Sequence, residues 1–260
     1  MTFWEIILYS LVQGLTEFLP ISSSGHLLIL ENILEWPIPG RTMAIAAHLG
    51  SLFAVILYLK KDIIHFFAKD IKKHNNIILI RNLIIITLPI VIIGFLIFKV
   101  FDNKLLTLNT IAWSSILGAC FLYLSDKSKS TNKDIYSLSV LESIFIGIIQ
   151  IFALIPGTSR AGTIITASRF LNVDRIQATK LGLYSGLPTI TGAALLEIIW
   201  LLNNQINYEI YYIGIISILS FIFAYLSILL LMKWLKNKSF MPFIIYRISL
   251  GIIILYIINN

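Results

Sequence analysis

Long apolar stretches separated by short polar connections run the length of this sequence. Six of them, residues 43–59, 77–100, 108–124, 176–202, 210–232 and 242–258, have the length of helices that cross a bilayer, which takes about 20 predominantly apolar residues. Two further stretches are broken inside, 3–34 at Pro20 and 139–171 at Pro156-Gly157. Proline disfavours helix in the residue before it, so each reads as a re-entrant helical hairpin. Non-helical backbone at membrane depth is tolerated only where protein buries it or where it lines a wet cavity. Two such breaks therefore predict one shared polar site. The first stretch lacks a basic leader, with Glu5 where a signal peptide carries Lys or Arg, so it is expected to be mature structure.

Composition points the same way. The 260 residues are 58% hydrophobic and 13% charged, against about 25% charged in soluble domains, and mean hydropathy is +0.89. The expectation is an all-α polytopic membrane protein, a single domain over 1–260 with about six transmembrane helices and two re-entrant hairpins. The net charge of +7 lies in short connections without aromatic interleaving, which excludes nucleic acid as a partner and sets topology instead. Lys60, Lys61, Lys69, Lys72 and Lys73 follow the first span. Lys127, Lys129 and Lys133 follow the third, Arg175 and Lys180 open the fourth, and Lys233, Lys236 and Lys238 follow the fifth. The opposite connections hold little beyond Arg41 and Lys104, and 203–208 holds no basic residue. The positive-inside rule puts the Lys-rich side in the cytoplasm, so the two hairpins enter from opposite faces. That predicts an inverted repeat, approximately 1–125 and 137–260. Pro20 and Ser23 pair with Pro156 and Ser159, and His48-Leu49-Gly50 with Tyr184-Ser185-Gly186. Such repeats hold their site near the midplane. The lone Cys120 excludes an internal disulfide and a cysteine metal cage.

At the first break Gln13 and Glu17 are four apart and share a helix face. After Pro20 come Ser22, Ser23, Ser24 and Gly25, and the next apolar run begins at His26. A helix starting there would aim free N–H groups and its positive dipole end at an anion. The serines alone could be a cap, but an intramembrane carboxylate such as Glu17 is costly and marks function, unless it only pairs with Arg160. The second break, Pro156-Gly157-Thr158-Ser159-Arg160, sets a guanidinium suited to phosphate in apolar surroundings, where a merely snorkelling arginine is the plainer alternative. The combined inventory suits phosphoryl transfer, which is mostly positioning and charge stabilisation. Ser23 is the candidate nucleophile with His26 as base, water activated directly is the other route, and a hard divalent cation near Glu17 would bridge phosphate oxygens. His48, Glu197 and Arg247 are read as structural.

At these motifs the chain resembles the undecaprenyl-diphosphate phosphatase family of the bacitracin-resistance type. QGLTEFLPISSSGHL is similar to its (Glu/Gln)-x-x-x-Glu motif and Pro-x-Ser-Ser-x-Gly-His continuation, and IPGTSRAGTI to its Pro-Gly-x-Ser-Arg-Ser-x-x-Thr motif. The likeness continues through AAHLGSLFAVILYLKKD, LPIVIIGF and Tyr246-Arg247. The resemblance implies hydrolysis of the C55 lipid diphosphate to the monophosphate, recycling the cell-wall carrier and resisting bacitracin. It further implies a divalent cation, Mg²⁺ or Ca²⁺, and a bacterial plasma (inner) membrane location with the site facing the outer, periplasmic side. Carried over, Gln13 and Glu17 take the paired acidic positions, Ser23 the nucleophile's, His26 an acid–base place, and Ser159 and Arg160 phosphate binding. Three positions depart. Gln13 is an amide, able to ligate but not to act as a base, Ala161 replaces a serine, and Ile164 stands at the usual threonine with Thr163 beside it and Thr166 beyond. The expected site is thus catalytic Glu17, Ser23, His26 and Arg160, substrate-binding Gln13, Ser22, Ser24, Gly157, Thr158, Ser159 and Thr163, and metal-binding Glu17 and Gln13. Expected partners are the polyprenyl diphosphate, membrane lipids and, as an open option, a second copy of the chain. The rival reading is a polyprenyl phosphate transporter using the same anion site.

Overall fold

The structure is a computed structural model and describes residues 3–34, 40–67, 73–100, 107–128, 133–203 and 210–260. The first hairpin is α1 (Phe3–Thr16) and α2 (Ser23–Leu34), followed by α3 (Gly40–Tyr58) and the short α4 (Lys60–Phe67). Next come α5 (Lys73–Val100) and α6 (Leu108–Asp126). The second hairpin is α7 (Val140–Ile151), a 3₁₀ turn at Phe152–Leu154, and α8 (Arg160–Phe170). The chain continues as α9 (Arg175–Asn203), α10 (Ile210–Trp234) and α11 (Met241–Asn259). Lys69, Lys72, Lys104, Lys129 and the 204–208 connection lie outside the described residues, as do the side chains of Arg41, Lys73 and Glu197.

Local chemistry accounts for several of these boundaries. Thr107 caps α6 by accepting from the Thr110 N–H, and Ser139 opens α7 in a capping box with Glu142. The limbs of the broken hairpins have 14, 12, 12 and 11 residues. At 1.5 Å per residue they reach about 16–21 Å, short of the roughly 30 Å hydrocarbon core. Among the described residues, 75–97, 108–126, 211–234 and 241–259 are long and apolar enough to cross a membrane. This agrees with a polytopic membrane protein. Of the six expected spans, α3 and α9 fall outside that set. They pack against each other and carry buried polar groups, Ser51 on α3 and Thr179 and Ser185 on α9. In α3 the described apolar part, Met43–Tyr58, is also shorter than a full span.

Close backbone approach holds the bundle. Helix α10 packs against both α3 and α1, where a Cβ on Gly50 would lie 2.1 Å from the Ser217 carbonyl oxygen and one on Gly14 2.6 Å from Phe223 Cβ. Small residues that let helix backbones approach are the usual glue between helices in lipid. Ser217 and Ser227 add interhelical hydrogen bonds to the Ala46 and Leu15 carbonyls at 2.7 and 2.8 Å. Helix α7 packs on α5, α6 on α11, and α8 on α6 and α9, which encloses both hairpin breaks. Far from them, Asp126 at the end of α6 binds Arg175 of α9 at 2.6 Å and the backbone N–H of Phe240 before α11 at 3.2 Å.

Candidate active site

The two breaks are built alike. Helix α1 ends at Thr16, the chain turns, and Ser22 adopts φ +73° with its Oγ accepting from the Gly25 N–H at 3.4 Å. This cap draws the start of α2 to Ser23, three residues before the expected His26, so Ser23 and Ser24 occupy the first helical turn. In the second break Ser159 adopts φ +72° and accepts from the Gly162 N–H at 3.1 Å, and α8 starts at Arg160. By their caps Ser22 answers Ser159 and Ser23 answers Arg160, one residue off the pairing read from the prolines. Gly157, at φ +93°, lies in the longer second loop, and Gln13 and Gln150 keep the new interval.

One buried arginine ties the loops together. Arg247 on α11 is 1% exposed and donates to the carbonyls of Pro20, Gly157 and Thr158 at 3.2, 3.1 and 2.9 Å, and to that of Ser114 at 3.3 Å. A Cβ on Gly118 would lie 2.2 Å from its guanidinium. Ser159 Oγ adds a link by donating to the Leu19 carbonyl at 3.3 Å. Arg247, expected from the sequence to be structural, thus bonds to the backbone of both loops of the site.

A cavity of about 710 Å³ opens beside the loops. Its polar end holds Glu17, Ser22, Ser23, Ser24, His48, Ser159 and Arg160, and its apolar walls are residues 90–96 of α5 and 189–196 of α9 in part. Both wall segments follow a proline inside the helix, Pro89 and Pro188. Glu17 is the hub. Its Oε1 accepts from Arg160 at 3.1 Å, and its Oε2 accepts from Ser23 Oγ at 2.6 Å and from Gln13 Nε2 at 2.9 Å. Arg160 also donates to the Gly182 carbonyl at 3.1 Å. The acid of one hairpin therefore meets the guanidinium of the other.

A family model described as bacitracin resistance protein BacA matches residues 6–253. The chain belongs to the BacA family. It is 40% identical to the undecaprenyl-diphosphatase of Pelagibacter ubique (strain HTCC1062), with 98% of each chain covered. It is 37% identical to that of Jannaschia sp. (strain CCS1) and 35% identical to that of Alteromonas mediterranea, with 99% of each chain covered in both cases.

Not every residue picked out from the sequence faces the cavity of this BacA-family chain. His26 Nδ1 lies 2.6 Å from the Ser22 carbonyl and Nε2 2.6 Å from the Tyr246 hydroxyl, with the two rings stacked. Both ring nitrogens are engaged, and the group that takes the Ser23 hydrogen bond is Glu17. His26 therefore makes no hydrogen bond to Ser23 in this geometry. Gly157 is set tight against α6, where a Cβ would lie 2.2 Å from Ser114 Oγ, and Thr158 gives its carbonyl to Arg247. Thr163 Oγ1 donates to the Arg160 carbonyl at 2.8 Å. These three shape the loop and α8 without lining the cavity. Gln13 is fully buried behind Glu17. Ala161 and Ile164 are buried among core side chains, so the two departures fall at packing positions. His48, structural on the sequence reading, lines the cavity with Nδ1 2.7 Å from Gln13 Nε2 and 3.8 Å from Glu17 Oε2. An imidazole inside an apolar run was the available signal.

Among the described residues no three His, Cys, Asp or Glu side chains gather as a cation cage. Glu17 and the Gln13 Oε1, which is buried without a partner, are hard oxygen donors. Oxygen donors of this type are the ones a hard divalent cation takes, and of the two only Glu17 lines the cavity.

Proposed function

We propose that this chain is a membrane phosphatase that hydrolyses undecaprenyl diphosphate to undecaprenyl phosphate and inorganic phosphate. The observation that carries the reading is Glu17, held between the Ser23 hydroxyl and the Arg160 guanidinium. The tail would lie along the apolar walls of α5 and α9. The terminal phosphate would meet the N-termini of α2 and α8, where helix N–H groups and dipoles favour an anion, with the spare N–H groups of Arg160. Ser23 Oγ would pass its proton to Glu17 Oε2 and attack the terminal phosphorus, and the bridging P–O bond would break to release the lipid monophosphate. Water would then cleave the phosphoserine. Glu17 would return its proton to Ser23, and the water's proton would leave with inorganic phosphate. A transporter needs Arg160, but a serine hydrogen-bonded to a carboxylate at the anion site gives it nothing, so hydrolysis is the favoured reading.

A divalent cation would be held by Glu17 and Gln13 together with the substrate, and its chemistry would be to neutralise phosphate charge. Two features support a site facing outward from the bacterial plasma membrane. The basic ends of α8 and α9 and the α10–α11 turn gather at Asp126, and the positive-inside rule makes that side cytoplasmic. The cavity residues 90–96 begin 17 residues beyond Lys73, the first residue of α5, about 26 Å along the helix. Phosphate release from undecaprenyl diphosphate by the purified chain in detergent tests the activity. Turnover is expected for the wild type and not for Ser23→Ala, and a turnover that survives exhaustive chelation would remove the cation. Wild-type rates in Ser23→Ala would leave direct attack by water.

A further inference from the structure

We infer that His48, not His26, is the imidazole that meets the diphosphate, and that it acts as a neutral hydrogen-bond donor through Nε2. The inference rests on the phosphatase reading and names a further phosphate-binding residue within it. His48 stands on α3 at the polar end of the cavity, beside Glu17, Ser23 and Arg160, with its side chain 28% exposed. The amide of Gln13 sets its tautomer. Gln13 Nε2 donates to Glu17 Oε2 at 2.9 Å, and the nitrogen must be the atom there, because an amide oxygen would face a carboxylate. The same Nε2 lies 2.7 Å from His48 Nδ1. Its second hydrogen makes Nδ1 an acceptor, so the single proton of the neutral ring sits on Nε2.

Among the described residues no protein group takes that Nε2–H, whereas both nitrogens of His26 are taken. The cavity thus holds one uncommitted imidazole donor where an anion would bind. The pairing also gives a reason for the amide at position 13. A carboxylate there would oppose Glu17 and could not donate to Nδ1. Gln13 satisfies both neighbours and leaves the His48 proton facing outward. Donation to a charged phosphate oxygen is among the stronger hydrogen bonds, and it requires no proton transfer from the ring.

Direct binding of inorganic pyrophosphate to the full-length chain, measured by calorimetry in detergent, separates this role from turnover. Its outcome does not depend on whether the chain proves to be a phosphatase, which phosphate release decides. His48→Phe, which keeps a ring and removes the donor, is expected to weaken pyrophosphate binding about tenfold or more. It should raise KM for the lipid diphosphate more than it lowers kcat. His48→Gln, which keeps an N–H near the Nε2 position, should recover binding to within about threefold, with the pH profile of kcat unchanged. His26→Phe, which acts on the cavity only through Ser22, should weaken pyrophosphate binding less than His48→Phe does. Unchanged affinity in a folded His48→Phe protein would overturn the assignment. So would a His48→Gln protein that binds as poorly as His48→Phe, or one that loses a limb of the pH profile, since that limb would mark the ring as a proton carrier.

Discussion

Glu17 carries three hydrogen-bond donors on two oxygens, from Arg160, Ser23 and Gln13. Removing it takes away the group that would accept the serine proton and leaves Arg160 without its counter-charge. Glu17→Gln keeps the shape and removes the base, so kcat is expected to fall about 10²–10⁴-fold, the usual range for lost general-base catalysis. Glu17→Ala should in addition lower thermal stability in detergent, because stranding one member of a buried ion pair costs about 3–5 kcal/mol. Equal melting temperatures for Glu17→Ala and the wild type would show that the pair contributes nothing to the fold. His26 and Tyr246 work one step back. The ring holds the Ser22 carbonyl at a residue whose positive φ stores about 1–3 kcal/mol of strain. Tyr246→Phe removes the hydroxyl at His26 Nε2 and should lower turnover several-fold while pyrophosphate affinity holds.

Helices of ordinary length form here because their apolar runs are long, and the site exists because two of those runs are interrupted. Pro20 and Pro156-Gly157 mark the interruptions in the sequence, but the helix starts depend on Ser22 and Ser159, whose positive φ no local preference announces. The elements are then locked by contacts too close for side chains. Gly50→Ala would drive a methyl into the Ser217 carbonyl oxygen, and the expected cost is about 1–3 kcal/mol, as for other overpacked positions. A melt in detergent that matches the wild type would mean that α3 and α10 separate freely. At Gly118 an added methyl meets the Arg247 guanidinium instead. Gly118→Ala is therefore expected to lose activity by displacing the residue that holds both loops, with a smaller loss of stability than Gly50→Ala.

For the molecule as a whole, orientation and substrate access follow from where the charge and the groove lie. With Cys120 replaced by Ala, Lys236→Cys on the exposed α10–α11 turn should react with a membrane-impermeant maleimide only after the membrane is opened. Labelling in intact spheroplasts would reverse the topology and turn the site inward. Gly192 lines the groove, and nothing lies within 4 Å of a Cβ placed on it. A larger side chain there has room to fold into the tail path. Gly192→Leu is expected to raise KM for the C55 lipid and leave a short diphosphate such as farnesyl diphosphate almost untouched. An equal rise for both substrates would move the tail elsewhere.

The sequence alone determined the membrane class, the helices, the two breaks and the motifs around Glu17 and Arg160. These are local properties: the length of an apolar run, the stop imposed by proline, and the cost of a charge set in hydrocarbon. Tertiary structure alone decided which imidazole faces the cavity. His26 is turned away by Tyr246, 220 residues along the chain, and His48 is brought to Glu17 through Gln13, 35 residues before it. It also decided that Arg247 holds both loops and that the halves of α5 and α9 beyond their prolines form the apolar walls. Each of these depends on which distant surfaces meet when helices pack, and spacing along a chain carries no record of that.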